Sequence, residues 1–227
     1  MNSQDPCFVK EEIPLRADLV HRFKIDTVIG RTWMIKNSEL SSRGFKSHLL
    51  KYDSCGNKVN QQKYDRDGKV IYAWMYAKGL PVKEVSYESS GRINYTFEFV
   101  YNNSKNWKEK RLYLSSGLFH YCIVPHRDVL ERIVTATYYD SSSREIQKDS
   151  YFYDNFGRLI RMKVGQMGEW VFEYATDNNL KKRTGNLSGA SIFGENFEFQ
   201  YDDRGLLVRI NHLHHDTTVL EYSLRDS

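Results

Sequence analysis

The sequence predicts an all-β protein, an antiparallel sheet of repeated hairpins arranged as a meander or a curled array. Three observations predict it. Tyrosine followed by a short polar stretch and a glycine recurs along the chain, at Tyr52 to Gly56, Tyr64 to Gly68, Tyr87 to Gly91, Tyr153 to Gly157 and Tyr201 to Gly205. Self-similarity of this kind marks one supersecondary unit stacked many times. Aromatic side chains also fall on every second residue in Phe97-Glu98-Phe99-Val100-Tyr101, Trp170-Val171-Phe172-Glu173-Tyr174 and Phe197-Glu198-Phe199-Gln200-Tyr201. A period of two places them on one face of a half-buried strand, with Glu98, Glu173 and Glu198 on the solvent face. Finally, 16 Tyr and 12 Phe against 4 Pro suit strands and argue against a disordered chain. With 40% hydrophobic residues over 227 positions the chain can bury a sizeable core, and one continuous body is expected.

Residues 1–50 contain no tyrosine–glycine unit. Leu19, His21, Phe23 and Ile25 alternate there, so this stretch is expected as irregular strands capping a repeat body of residues 51–227. Tyr52, Tyr64 and Tyr76 then recur about every twelve residues, which fits one strand and one turn per unit. Val70, Tyr72, Trp74 and Tyr76 oppose Ile71, Ala73 and Met75, a strand expected to be covered on both faces. The polar stretch from Asn102 to Glu109 reads as a loop, which would expose Trp107. Between Pro125 and Val134 a short helix competes with a strand. From Tyr153 to Tyr174 and from Tyr201 to Tyr222 the interval fits a hairpin per unit. An extra loop is expected over Arg183 to Ser191.

The unit Phe152-Tyr153-Asp154-Asn155-Phe156-Gly157-Arg158-Leu159-Ile160 reads as a strand end, a turn and a strand start. Asp154 at the first turn position can accept a bond from the backbone two residues on. Gly157 at the fourth supplies the positive φ of a type I turn followed by a bulge.

In these residues the chain resembles the YD repeat of the bacterial Rhs family: a Tyr-Asp pair, a two-residue spacer, then Gly-Arg-Leu or Gly-Asn. Tyr153 to Leu159 matches closely, Tyr52 to Asn57 and Tyr64 to Lys69 match well, and the likeness covers roughly residues 50 to 222. The resemblance implies hairpins coiled into a sheet that wraps a toxin segment. Members of the family are much longer, so a full enclosure is not expected. Their self-cleaving motif has Asp-Pro pairs before glycine and leucine. Asp202-Asp203-Arg204-Gly205-Leu206 lacks the proline, and no protease activity is carried over. A short chain of this kind looks like a companion of such systems, an immunity protein that neutralises a toxin, or a repurposed binding scaffold.

Charge and motifs narrow the chemistry. The 33 basic and 29 acidic residues give a net +4 scattered through the repeats, so no nucleic-acid partner is expected. Asp5, Lys10, Glu11, Glu12, Arg16 and Asp18 break any apolar run near the start. A cytoplasmic protein with no membrane segment is expected. Cys7, Cys55 and Cys122 lack the spacing of a disulfide framework or a metal knuckle. His212 and His214 would share a strand face at a separation that suits zinc or nickel, given a third ligand; the alternative is a polar edge or turn. His120, Cys122 and His126 form a weaker version. No nucleophile elbow, phosphate-binding glycine loop or carboxylate pair stands out, so no cofactor and no catalysis are expected. The expected function is binding to a protein partner through Trp107, Trp74, Tyr101 and the basic run Lys181, Lys182 and Arg183, with Trp170 buried. A carbohydrate-binding module using exposed aromatics, or a metal-dependent enzyme using the histidines, are the alternatives. Pairing of sheet edges leaves a homodimer open.

Overall fold

Alternation and turn chemistry build an all-β antiparallel molecule. A computed structural model describes residues 17–36, 39–187, 196–212 and 216–224. After helix α1 (Ala17–Arg22) come strands β1 (Ile25–Lys36), β2 (Glu39–Leu40), β3 (Phe45–Tyr52), β4 (Lys58–Tyr64), β5 (Val70–Ala77) and β6 (Leu80–Tyr87). Next are β7 (Ile93–Tyr101), β8 (Trp107–Leu114), β9 (Phe119–Arg127), β10 (Ile133–Asp140), β11 (Glu145–Tyr153) and β12 (Leu159–Val164). The chain closes with β13 (Gly168–Tyr174), β14 (Leu180–Leu187), β15 (Asn196–Tyr201), β16 (Leu207–His212) and β17 (Asp216–Leu224). Strand follows strand in a meander, and β1 pairs with β3 on one side and β17 on the other. With the two-residue β2 set beside β1, the pairings close into a ladder of sixteen antiparallel strands.

By backbone proximity the chain falls into two compact units. Leu15–Phe99, Leu112–Phe119 and Phe199–Ser227 form one of them. In it Val28, Leu50, Gln61, Trp74, Glu84 and Phe97 stand opposite one another across β1 and β3 to β7, and all six are buried. The neighbouring row on the opposite face, Thr27, Lys51, Asn60, Met75, Lys83 and Glu98, is exposed or half-buried. This is the period-two segregation of a half-buried sheet. On β5, Ala73 and Trp74 are buried while Met75 is exposed, so the two-sided cover expected there is partial.

Val100–Arg111 and His120–Glu198 belong to the other unit. Its core includes Ile123, Ala136, Tyr151, Trp170 and Phe172. Trp170 pairs with Gly185 on β14, and a Cβ there would fall 2.6 Å from the indole, so only glycine lets the ring lie against the backbone.

Ten turns share one construction among the described residues: the first N–H donates to the fifth carbonyl, and the fourth N–H donates to the first carbonyl. Asp154 shows why the motif is written as it is. Its Oδ1 accepts the N–H of Phe156 and of Arg158, both at 2.9 Å, and Gly157 sits at φ 77°. Nothing lies within 4 Å of where a Cβ on Gly157 would be, so backbone strain alone sets the cost of adding one. Gly157→Ala is expected to lower stability by roughly 1 kcal/mol in urea unfolding, and an unchanged midpoint would refute the left-handed requirement.

Three expectations change. Leu19 to Ile25 do not form a cap strand: Leu19 and Val20 are buried from α1, whose acidic Asp18 and basic His21 and Arg22 follow the order the helix dipole favours. Residues Ile25 to Tyr52 supply β1 and β3, which are members of the ladder and not a cap on it. Between Pro125 and Val134 there is no helix; β9 ends at Arg127, a five-residue turn follows with Glu131 at φ 61°, and β10 begins at Ile133. The loop expected from Arg183 is strand β14 as far as Leu187, and the rest of it lies outside the described residues.

Candidate functional site, a platform of turns

Successive turns of an antiparallel meander alternate between its two ends, so the turns after β7, β9, β11 and β13 share one end of their unit. Their sequences are Asn102 to Asn106, Asp128 to Arg132, Asp154 to Arg158 and Ala175 to Asn179. Side chains tie each to the next. Asn106 Nδ2 donates to the Glu131 carboxylate at 3.0 Å, and the Arg127 guanidinium donates to the Glu131 carbonyl at 2.8 Å. The Tyr153 hydroxyl donates to the Ile133 carbonyl at 2.8 Å, with the Arg132 guanidinium 4.9 Å above its ring. One turn further on, the Tyr174 hydroxyl donates to the Leu159 carbonyl at 3.0 Å, and Arg158 reaches Asn178 Oδ1 at 2.9 Å. Burial pushes the Tyr174 phenol up to about 12, so it stays a donor at neutral pH. Tyr153 and Tyr174 thus each hold the strand start just after the preceding turn as well as ending their own strand.

Two carboxylates of the platform are paired within their own turns. Arg132 and Asp128 lie 2.6 Å apart, as do Arg158 and Asp154. Hydrogen bonding from the Arg132 side chain holds the Asp128 carboxyl below the usual carboxylate range. For Asp154 burial works the other way, but the backbone and side-chain N–H groups of Arg158 outweigh it and the carboxyl is again lowered.

The second and third turn positions are polar in most of the ten turns, as in Ser89-Ser90, Asn103-Ser104 and Ser141-Ser142, and some bond within the turn, as Arg204 does to Asp202 at 2.7 Å. The neighbouring turns after β9 and β11 differ. Val129 is 98% exposed, Leu130 67% and Phe156 79%. Turn mechanics do not require apolar side chains at these tips, and scattered singly they would need no explanation. Grouped on two linked turns, they form an apolar surface on a rigid support. Sequence reading missed Val129 and Leu130 because Glu131 takes the place of glycine and hides the turn. The usable signal was Asp128, three residues ahead of it.

The residues expected at a partner surface are dispersed. Trp107 is only 4% exposed, because Lys105 adopts φ 62° in place of glycine and turns the chain early, so Trp107 begins β8 instead of sitting in a loop. Trp74 is buried with its ring 5.7 Å from that of Tyr72, and Tyr101 is half-buried at the end of β7. Neither tryptophan offers a stacking face to a partner or a sugar. The basic run is split by a bulge, in which Lys181 is the extra residue between the Glu173–Lys182 and Tyr174–Leu180 pairs. Lys181 is exposed, Lys182 stands opposite Glu173 and Glu198, and Arg183 is buried with its guanidinium 4.9 Å from the Trp170 ring and 4.3 Å from that of Phe197.

His212 Nδ1 lies 3.8 Å from the Asp216 carboxylate across the β16–β17 pair, and His214 lies outside the described residues. Among the described residues no group of three His, Cys, Asp or Glu side chains is placed to hold a metal. Cys55 and Cys122 are free thiols, and burial followed by the Glu109 carboxylate raises that of Cys122. Cys7 lies outside the described residues.

No family model and no curated protein matches the chain. Among solved structures, a porin-like protein from Bacteroides uniformis is similar over 88% of this chain and 98% of its own, at 8% identity and a TM-score of 0.42. The TcdB2-TccC3-Cdc42 structure is similar over 85% of this chain, which spans 15% of that one, at 13% identity and a TM-score of 0.33. A DUF1329 family protein from Desulfovibrio piger is similar over 92% of this chain and 87% of its own, at 11% identity and a TM-score of 0.20.

Proposed function

We propose that this chain is a non-catalytic cytoplasmic β-repeat protein that binds another protein through the turn platform. The observation that carries the reading is the exposure of Val129, Leu130 and Phe156 on two mutually bonded turns. Exposed apolar groups on a preformed surface favour a protein contact, whose affinity rests on a few well-packed anchors. Lys51, Lys83 and Glu98 on the face opposite the buried row support a location outside the lipid, since a membrane barrel presents an apolar belt there. No described helix is long and apolar enough to cross a membrane. The most concrete form is immunity to a toxin of an Rhs-like system, motivated by the Tyr-Asp turn units.

A comparison of baits from the protein's own cells tests it. Wild-type protein is expected to retain one stoichiometric protein that a Val129→Asp/Phe156→Asp double variant releases, with both baits melting at the same temperature because the tips are exposed. Retention of the same proteins by both baits would remove the platform from the function. Co-expression of the retained protein should show toxicity that the wild type relieves and the variant does not; a harmless partner would sink the immunity form alone.

A further inference from the structure

Resting on that reading, we infer that the partner meets the platform with a concave apolar pocket, that the Phe156 ring fills it, and that Arg158 is the residue that positions the ring. Shape is the first reason. Phe156 at 79% exposure and Val129 at 98% protrude with almost none of their own chain around them, so the concavity of a packed interface has to come from the partner.

Order is the second reason. The Arg158 guanidinium lies 5.1 Å from the Phe156 ring centroid and 5.0 Å from that of Tyr174. It is held at 2.6 Å by Asp154 Oδ2 and at 2.9 Å by Asn178 Oδ1. Phe156 itself donates its backbone N–H to Asp154 Oδ1 at 2.9 Å, so both the backbone and one face of the ring are fixed. A side chain held in place before binding gives up less conformational freedom on binding, which is what an anchor residue needs.

Charge is the third reason and selects the occupant. Asp128 is paired with Arg132, Asp154 with Arg158, and Glu131 accepts from Asn106. Beside the Phe156 ring, the charges of Asp154 and Arg158 are matched to each other, so a strongly charged pocket closing over the ring would lose its own hydration and gain no counter-charge there. The occupant is therefore a folded protein with an uncharged apolar pocket the size of a phenyl ring.

Photo-crosslinking of the full-length protein in its own cells tests this, with p-benzoylphenylalanine introduced at position 156, at position 129 or, as a control turn tip, at position 203. Position 156 is expected to label one protein at apolar residues that converge on a single pocket, several-fold above position 203. Arg158→Ala should lower the yield at 156 several-fold and leave that at 129. In the free protein, the same substitution should narrow the ¹⁹F resonance of 4-fluorophenylalanine at position 156, a gain of ring motion that a merely structural loss would not confine to this residue. Adducts from 129 but not 156 would overturn the anchor and leave the protein-binding reading standing. No adduct from either position would overturn both. Adducts to lipid, or to a second copy of this chain, would replace the pocket-bearing partner and overturn the inference, as would labelling of charged residues.

Discussion

Trp170→Ala is expected to cost about 3–5 kcal/mol of stability. The indole is buried, faces Gly185 across the β13–β14 pair, and lies beneath the Arg183 guanidinium, which also contacts Phe197. Truncation would empty the largest side-chain volume in that region and leave the buried arginine without one of its two aromatic neighbours. Guanidinium unfolding should show a midpoint shift with an unchanged slope, and Tm should fall on the order of 10 °C. The complementary change, Gly185→Ala, drives a methyl to 2.6 Å from the same ring and is expected to cost about 1–3 kcal/mol by overpacking. A loss below about 1 kcal/mol for Trp170→Ala would show that this site collapses or is not the centre of its unit.

Asp149 gives the second large effect, and its sign depends on pH. The residue has 0% exposure. Its carboxylate accepts from the Tyr138 hydroxyl at 2.8 Å, the Gln147 side-chain amide at 2.7 Å and the Gly165 N–H at 3.0 Å, all neutral donors. Burial pushes its pKa above the usual carboxylate value, and those three bonds only partly offset this. A carboxyl raised on folding is most favourable to stability below its unfolded pKa, near about pH 4, and that contribution is lost as pH climbs through the folded value.

Asp149→Asn keeps an acceptor for Gly165 and Gln147 and removes the charge, so it is expected to be more stable than the wild type at neutral pH. Its advantage should vanish in acid. Asp149→Leu strands the donors and should fall below the Asn variant by about 1–3 kcal/mol for each one left unpaired. Asp128, Asp140 and Asp154 run the other way, since turn hydrogen bonds lower their carboxyls. Their contribution is present above the unfolded pKa and disappears as pH falls. Urea midpoints across pH 3 to 8 separate the two behaviours, because only the first depends on position 149. An Asn variant that tracks the wild type at every pH would remove the buried charge from the account.

Period-two aromatics and turn aspartates made the strands legible. Phe97 and Phe99 are buried with Glu98 exposed, and Trp170 is buried as expected. What the sequence concealed were turns without glycine. Lys105, Glu131, Ser143 and Asn178 all adopt positive φ, because the hairpin's hydrogen bonds, joined in the first three turns by the side chain of Asn102, Asp128 or Asp140, can hold a strained residue in place. Missing two of these turns misplaced Trp107 and hid Val129 and Leu130. Helix α1 was misread because four alternating residues carry little information over so short a span. The candidate site was mostly unreadable, since what singles it out is the spatial proximity of turn tips about 26 residues apart in the chain.

Closure of the ladder also constrains how such a chain can change its length. An antiparallel ring needs an even number of members, because an added single strand would meet its neighbour running in the same direction, and β1 must find oppositely directed neighbours in both β3 and β17. Gain or loss of ring segments is therefore confined to whole hairpins. An open array can end after any unit, whereas this one counts in twos.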